Sequence, residues 1–440
     1  MMQSPQLILI IVVSFSLHLV PIFQEAEITT EDCLVPCDQI VSGGPPKDGI
    51  PAINAPQFIS AEEYSSSYGR HTDLVIGVYH KGIARAYPTD ILNWHEIVND
   101  VFSGETLSIT YCPLTWSGIA YDTTSINSST LGTTGRLYEN NLVFYDRLTD
   151  SYWSQMLGLG LTGEHIGTVL PTIPVVQTTW RTWQALHPQS YVLSRETGHD
   201  RDYDRNPYKD YQGNSDIWFP SSYDSSRAPF NSYRAKDSSL VLSFANETRI
   251  YPFEALRYHP IVNDVLGNNS IAIIYDAASD LPRVFSSTIS NSTYSFVGTT
   301  VAGLDEMKTL GLRIFQDHET GSIWNLRGEA IEGFFLGEKL APVPAYSAFW
   351  FASTAIFVPR NATLMQSDYD ADVPETPHEP DSAFPDSEDA SSYAQNMSLE
   401  NSYPTSNSST TGFNIASIAL ISIGIGFVVI FVRRRDEKSR

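Results

Sequence analysis

The chain is poor in cysteine. Three of its 440 residues are Cys (Cys33, Cys37 and Cys112). That is too few for a disulfide scaffold, and one is left over after any pairing. Positive charge is also scarce: 27 Lys and Arg stand against 50 Asp and Glu, a formal net charge of -23. This argues against a nucleic-acid partner, because phosphate contacts need cationic side chains. No G-x-S-x-G, H-E-x-x-H or phosphate-loop motif is present, so the common hydrolase and nucleotide-binding readings lack support. Long apolar runs are confined to the two ends.

What is present suits a folded body with tails. The length allows two domains, and 42% hydrophobic with 12% aromatic residues is ample for a packed core. Residues 7–20 form an apolar run shorter than a membrane span, read as a secretory signal within residues 1–26, with an uncleaved anchor as the alternative. Residues 412–432 read GFNIASIALISIGIGFVVIFV, about the length that crosses a bilayer. Arg433, Arg434 and Arg435 follow, which places residues 433–440 in the cytoplasm and the body outside, on the cell membrane. Residues 361–411 hold ten acidic residues and neither Lys nor Arg, the composition of a disordered, self-repelling stalk. Sequons at Asn127, Asn246, Asn268, Asn291, Asn361, Asn396 and Asn407 fit an exported protein.

The middle of the chain repeats itself. Residues 85–100 read RAYPTDILNWHEIVND and residues 249–264 read RIYPFEALRYHPIVND. The register continues to ITY at 109–111 and IIY at 273–275. Further on, Asp146, Thr149, Ser151 and Trp153 match Asp317, Thr320, Ser322 and Trp324. The expected fold is α+β and β-rich: two pseudo-symmetric tandem copies of strands with short helices, plus a C-terminal transmembrane helix. The copies span residues 57–194 and 240–360. A turn-rich lead, residues 27–56, precedes them, and a Tyr-rich connection, residues 195–239, joins them as an ordered, packed linker. In the first copy, residues 74–87 predict a hairpin turning at Lys81-Gly82. Residues 88–99 predict a helix that places Ile91, His95 and Val98 on one face, and 106–111 a strand. Residues 178–186 predict a helix capped by Thr178.

At NWHEIVND and TYCPL the chain resembles the domain-of-unknown-function family 3179 of bacteria and archaea. The resemblance extends from SGGPPKDGIPAI at 42–53, through NPYKDY, to GSIWNLRG at 321–328. It implies an exported or membrane-tethered protein and supplies no activity. Many family members read CPLC where this chain has Cys112-Pro113-Leu114-Thr115, so a dithiol role implied by that motif loses its second thiol here.

The candidate site residues are Cys112, His95 and Glu96. A histidine titrates near neutrality, a glutamate can orient or accept a proton, and a cysteine can serve as thiolate nucleophile or soft ligand. The same residues also suit a hydrogen-bonded core histidine and an inert buried thiol. Only the first copy has Glu96 and Cys112; Pro260 and Asp276 stand at the matching places. Cys33 and Cys37 can pair or, with ligands the sequence does not reveal, bind metal. Asp200, Asp202, Asp204 and Asn206 alternate like a calcium loop, but Arg205 and Tyr211 depart from it and internal salt bridges fit better. Two functions follow: a surface binding or interaction module for a small molecule or envelope partner, or an extracytoplasmic enzyme or metal-handling protein centred on Cys112. No cofactor is identified by the pattern.

Overall fold

The computed structural model describes residues 33–244, 247–299 and 312–365. The expected signal, most of the expected stalk, the apolar run 412–432 and the residues after it lie outside these residues. Among the described residues no helix is long and apolar enough to cross a membrane.

The body is α+β, with several small sheets and short helices. One sheet is built on strand Leu74–His80 paired antiparallel to Ile83–Pro88. Lys81 and Gly82 both have positive φ (48° and 80°), the tight hairpin turn that a Lys-Gly pair predicts. Strand Val175–Thr179 flanks this hairpin on one side, antiparallel, and Tyr191–Leu193 on the other, parallel. The chain leaves the hairpin through helix Thr89–His95 into a second sheet, Ile97–Phe102, Glu105–Cys112 and Ser117–Asp122. A third sheet contains Leu131–Tyr138, Asn141–Asp146 and Tyr152–Ser154.

The later part follows the same order. Hairpin Ser238–Phe244 and Glu247–Pro252 is flanked by antiparallel Tyr346–Phe349 and parallel Thr363–Leu364. Helix Phe253–Tyr258 leads to strands Ile261–Leu266, Asn269–Asp276 and Leu281–Ser286. Equivalent side chains make equivalent bonds. Arg85 and Tyr87 both reach Asp100, and Arg249 and Tyr251 both reach Asp264. The Trp153 indole N–H donates to Asp146 at 3.2 Å, and that of Trp324 to Asp317 at 3.0 Å.

Four expectations change. The helix predicted over residues 88–99 ends at His95, because Glu96 turns left-handed (φ 56°). Val98 therefore lies in a strand rather than on a helix face with His95. The second helix is capped by Thr179, whose hydroxyl accepts from Thr182 N; Thr178 belongs to the strand before it. The lead contains a strand, Ile40–Ser42, paired with Leu131–Tyr138, in the stretch free of Gly and Pro between Pro36 and Gly43. The body also runs past residue 360: Leu364 pairs with Ile250 and Met365 is buried, so any stalk starts later.

The connection is packed, as its tyrosines predict. Tyr208, Tyr211, Tyr223 and Phe230 enter one core with Cys112 and Ile119 from the first segment and Phe349 and Trp350 from the second. Phe349 N donates to Thr115 O at 2.9 Å, and Trp116 stacks on Phe349 at 5.8 Å. The two segments thus share part of their hydrophobic interior, beside a core that each closes for itself.

Candidate functional site

The geometry around Glu96 follows from one backbone reversal. A glutamate with positive φ is uncommon and strained, and such residues gather at turns and functional sites. The reversal is held at both ends: Glu96 N donates to Leu92 O at 2.7 Å, and Glu96 O accepts from Tyr111 N at 2.8 Å. Strand Ile97–Phe102 then runs back along Glu105–Cys112, with Ile97 opposite Thr110. This brings Cys112, at the strand end, beside the Glu96 turn. At the corresponding place Pro260 cannot take positive φ, and its carbonyl still accepts from Tyr275 N at 2.8 Å.

The connection closes over this turn. Tyr208 donates to Glu96 Oε1 at 2.8 Å, Tyr211 to Leu114 O at 3.1 Å, and Gln212 Nε2 to the Tyr111 hydroxyl at 3.1 Å. Trp94 Nε1 donates to Arg205 O at 3.1 Å. His95 is bonded on both ring nitrogens, Nδ1 to Pro51 O and Nε2 to the Tyr203 hydroxyl, each 2.7 Å. A carbonyl can only accept, so Nδ1 carries the proton and Nε2 accepts from Tyr203. Tyr203 in turn meets the Thr197 hydroxyl at 2.5 Å. The structure thus brings Cys112 beside Glu96, turns His95 instead toward Pro51 and Tyr203, and adds Tyr203, Tyr208 and Tyr211, which spacing did not reveal. The signal for Tyr208 and Tyr211 was the NPYKDY stretch; Tyr203 lies just before it.

The electrostatics are those of a dry interior. Burial pushes the Glu96 carboxyl up to about 7, only partly offset by the Tyr208 bond. Burial lowers His95 to about 4; the Pro51 carbonyl opposes this, while His199 and Arg201 add to it. Burial, then the charge of Glu96, pushes the Cys112 thiol up to about 11. At pH 6 His95 and Cys112 are neutral and Glu96 is mostly protonated. Cys112 Sγ faces Asn140 O at 3.7 Å, and no hydrogen bond joins it to His95 or Glu96. A nucleophilic cysteine needs a cation or base beside it, and the only charge identified near this one is that of a carboxyl group.

Metal chemistry finds little support here. Among the described residues no three His, Cys, Asp or Glu side chains gather to hold an ion. Cys33 and Cys37 form a disulfide. In the alternating acidic stretch, Asp204 pairs at 2.9 Å with Arg195, which lies outside the stretch, Asp202 Oδ1 accepts from Asp204 N at 3.2 Å, and Arg201 donates to the Asp200 carbonyl at 3.0 Å. Thr115, where relatives with CPLC carry a second Cys, hydrogen-bonds Ser117 and Asn141 at 2.9 Å each in a buried polar network.

The surface offers a different feature. Residues 333–337 read GFFLG and form a tight loop, with Gly333 and Gly337 at φ 96° and 89°. Phe335 is buried: its N–H donates to Ser322 Oγ at 3.1 Å, and its ring lies 5.7 Å from Trp324. Its neighbours Phe334 and Leu336 are 79% and 67% exposed. The first segment builds the same loop from GEHIG, with Gly163 and Gly167 at positive φ, His165 N on Ser151 Oγ at 3.1 Å and the His165 ring 5.5 Å from Trp153. There the exposed place of Phe334 belongs to Glu164.

A family model described as "Protein of unknown function (DUF3179)" matches residues 47–361, more than half of the chain. No curated protein and no solved structure matches.

Proposed function

The chain belongs to the DUF3179 family, and we propose that its body is an interaction module whose contact point is the apolar tip Phe334–Leu336. One observation carries this reading. The same loop scaffold occurs twice, and only the second copy exposes a large aromatic beside a leucine, on a backbone pinned by buried Phe335. Rigid aromatic and aliphatic anchors of this kind carry most of the energy of protein contacts. Covering Phe334 alone contributes about 1.5–3 kcal/mol. A partner with an apolar cleft suits the tip. The test is a photo-crosslinking residue at position 334 of the full-length chain in producing cells, compared with one at position 164. A discrete adduct from 334 only is expected. Equal adducts from both positions, or none, would reject the reading.

The architecture supports a tandem duplication. Matching strand order, ladder register and the Arg–Asp, Tyr–Asp and Trp–Asp bonds favour two copies of one unit. We further propose that the body is exported and tethered by residues 412–432, with the stretch after residue 365 as an acidic stalk. The motivation is the apolar run before three arginines. Protease added to intact cells should then release the body by cutting the stalk. A protected body would overturn that topology.

The second reading, an enzyme or metal-handling centre at Cys112, His95 and Glu96, draws on Glu96. A buried carboxyl held near 7 can exchange a proton at neutral pH. Against it stand the seal of tyrosines and the protonated thiol.

A further inference from the structure

A second feature distinguishes the two segments. On the ladder of the first, Ile119 lies opposite Thr110 and is packed in the core. At the same place in the second, opposite Ile274, stands Arg283. An aliphatic core position in one segment is a guanidinium in the other.

Arg283 lines a small, partly open pocket between the segments. Pro174, Val175 and Gln177 close it from the first segment, and Val284, Val343 and Ser347 from the second. The guanidinium is held from behind. Its Nε donates to Leu326 O at 3.1 Å, and Cζ lies 5.4 Å over the Phe285 ring. Neither Nη bonds another described residue, and among the described residues no carboxylate pairs with it. Glu329, which acts on the same His187 as Arg283 does, is taken by Arg327 and by Lys339. Gln177 is also spent, its Oε1 accepting from Gly118 N at 3.2 Å and its Nε2 donating to Trp116 O at 3.1 Å. Burial alone holds the guanidinium down to about 10, so it stays charged at neutral pH without an anion to offset the cost.

We propose that this pocket binds the carboxylate of a small organic acid on Arg283. A guanidinium presents paired N–H groups that match a carboxylate. The charge count favours one negative charge: a single cation lines the pocket, and no other charged side chain does. A phosphate dianion would bring a charge with no partner. The Val175, Val284 and Val343 walls suit a short apolar body behind the carboxylate. This site is distinct from the Phe334 tip and stands whether or not that tip meets a partner.

The test uses the full-length chain with propionate, inorganic phosphate and chloride at equal ionic strength. Propionate is expected to raise the melting temperature above the chloride control and to receive saturation transfer in ligand-observed NMR. Both responses should vanish in Arg283→Ile, which installs the residue of the first segment. In Arg283→Gln, which keeps a neutral donor and serves if the isoleucine variant misfolds, propionate affinity should fall by about tenfold or more. No response to propionate, tighter binding of phosphate, or an undiminished response in both variants would overturn the assignment.

Discussion

Asp146→Ala and Asp317→Ala are each expected to cost about 4 kcal/mol, read as shifted urea midpoints at unchanged slope. Both carboxylates are fully buried. Asp146 accepts from Trp153 Nε1, from Thr149 N at 2.8 Å and from the Thr149 hydroxyl at 2.7 Å. Asp317 accepts from Trp324 Nε1, from Thr320 N at 2.6 Å and from the Thr320 hydroxyl at 2.7 Å. Truncation strands a buried indole N–H and a backbone N–H, at about 1–3 kcal/mol for each donor. Against a total stability of roughly 5–15 kcal/mol this is a large loss. Asn at either place keeps an acceptor and should lose less. Near-equal losses are the signature of one structural job performed twice. A severe loss at one site and almost none at the other would contradict the duplication.

Glu96→Gln should stabilise the protein at pH 8 by about 3 kcal/mol and change it little at pH 4.5. The folded carboxyl sits at about 7, above its ordinary 4.5. The fold therefore favours the protonated form. That contribution is fully present below pH 4.5 and is lost as pH rises through 7. Above that, the folded state carries a buried carboxylate that accepts a hydrogen bond from Tyr208. Glutamine never ionises and accepts the same Tyr208 bond. The comparison is a pair of stability profiles between pH 4.5 and 8, diverging as pH rises. Parallel profiles would mean that Glu96 ionises freely and that the turn is open to water.

The hairpin at Lys81-Gly82 and the strand at 105–112 were legible because turn chemistry and alternation are local signals. The helix end at His95 was not. Val98 continues the helical spacing of Ile91 and His95, and nothing local announces that a glutamate will take positive φ. The reversal is stabilised from outside, by Tyr111 on its carbonyl and Tyr208 on its carboxyl. Those partners are distant: Tyr208 lies 112 positions from Glu96 and Tyr203 lies 108 from His95. Spacing therefore identified three candidates and their neighbourhood but not the lid that makes them neutral. The Phe334 tip was readable in principle, since GFFLG aligns with GEHIG through two glycines. So was Arg283, seven residues past Asp276, the position matched to Cys112. Both proposals rest on differences between the two segments rather than on a motif in either.

The reading that places function at the surface requires the Cys112 cluster to be scaffold, and Cys112 itself offers the most direct check. With Cys33 and Cys37 paired, it is the one free thiol among the described residues. The measurement is its reaction with a thiol probe in the folded full-length chain from pH 6 to 10, with and without a chelator. The account predicts a slow reaction that still rises at pH 10, indifference to chelator, and one equivalent released at once on denaturation. A fast reaction that levels off below pH 8, or one unmasked by chelator, would make Cys112 a working thiolate or a metal ligand and contradict the account.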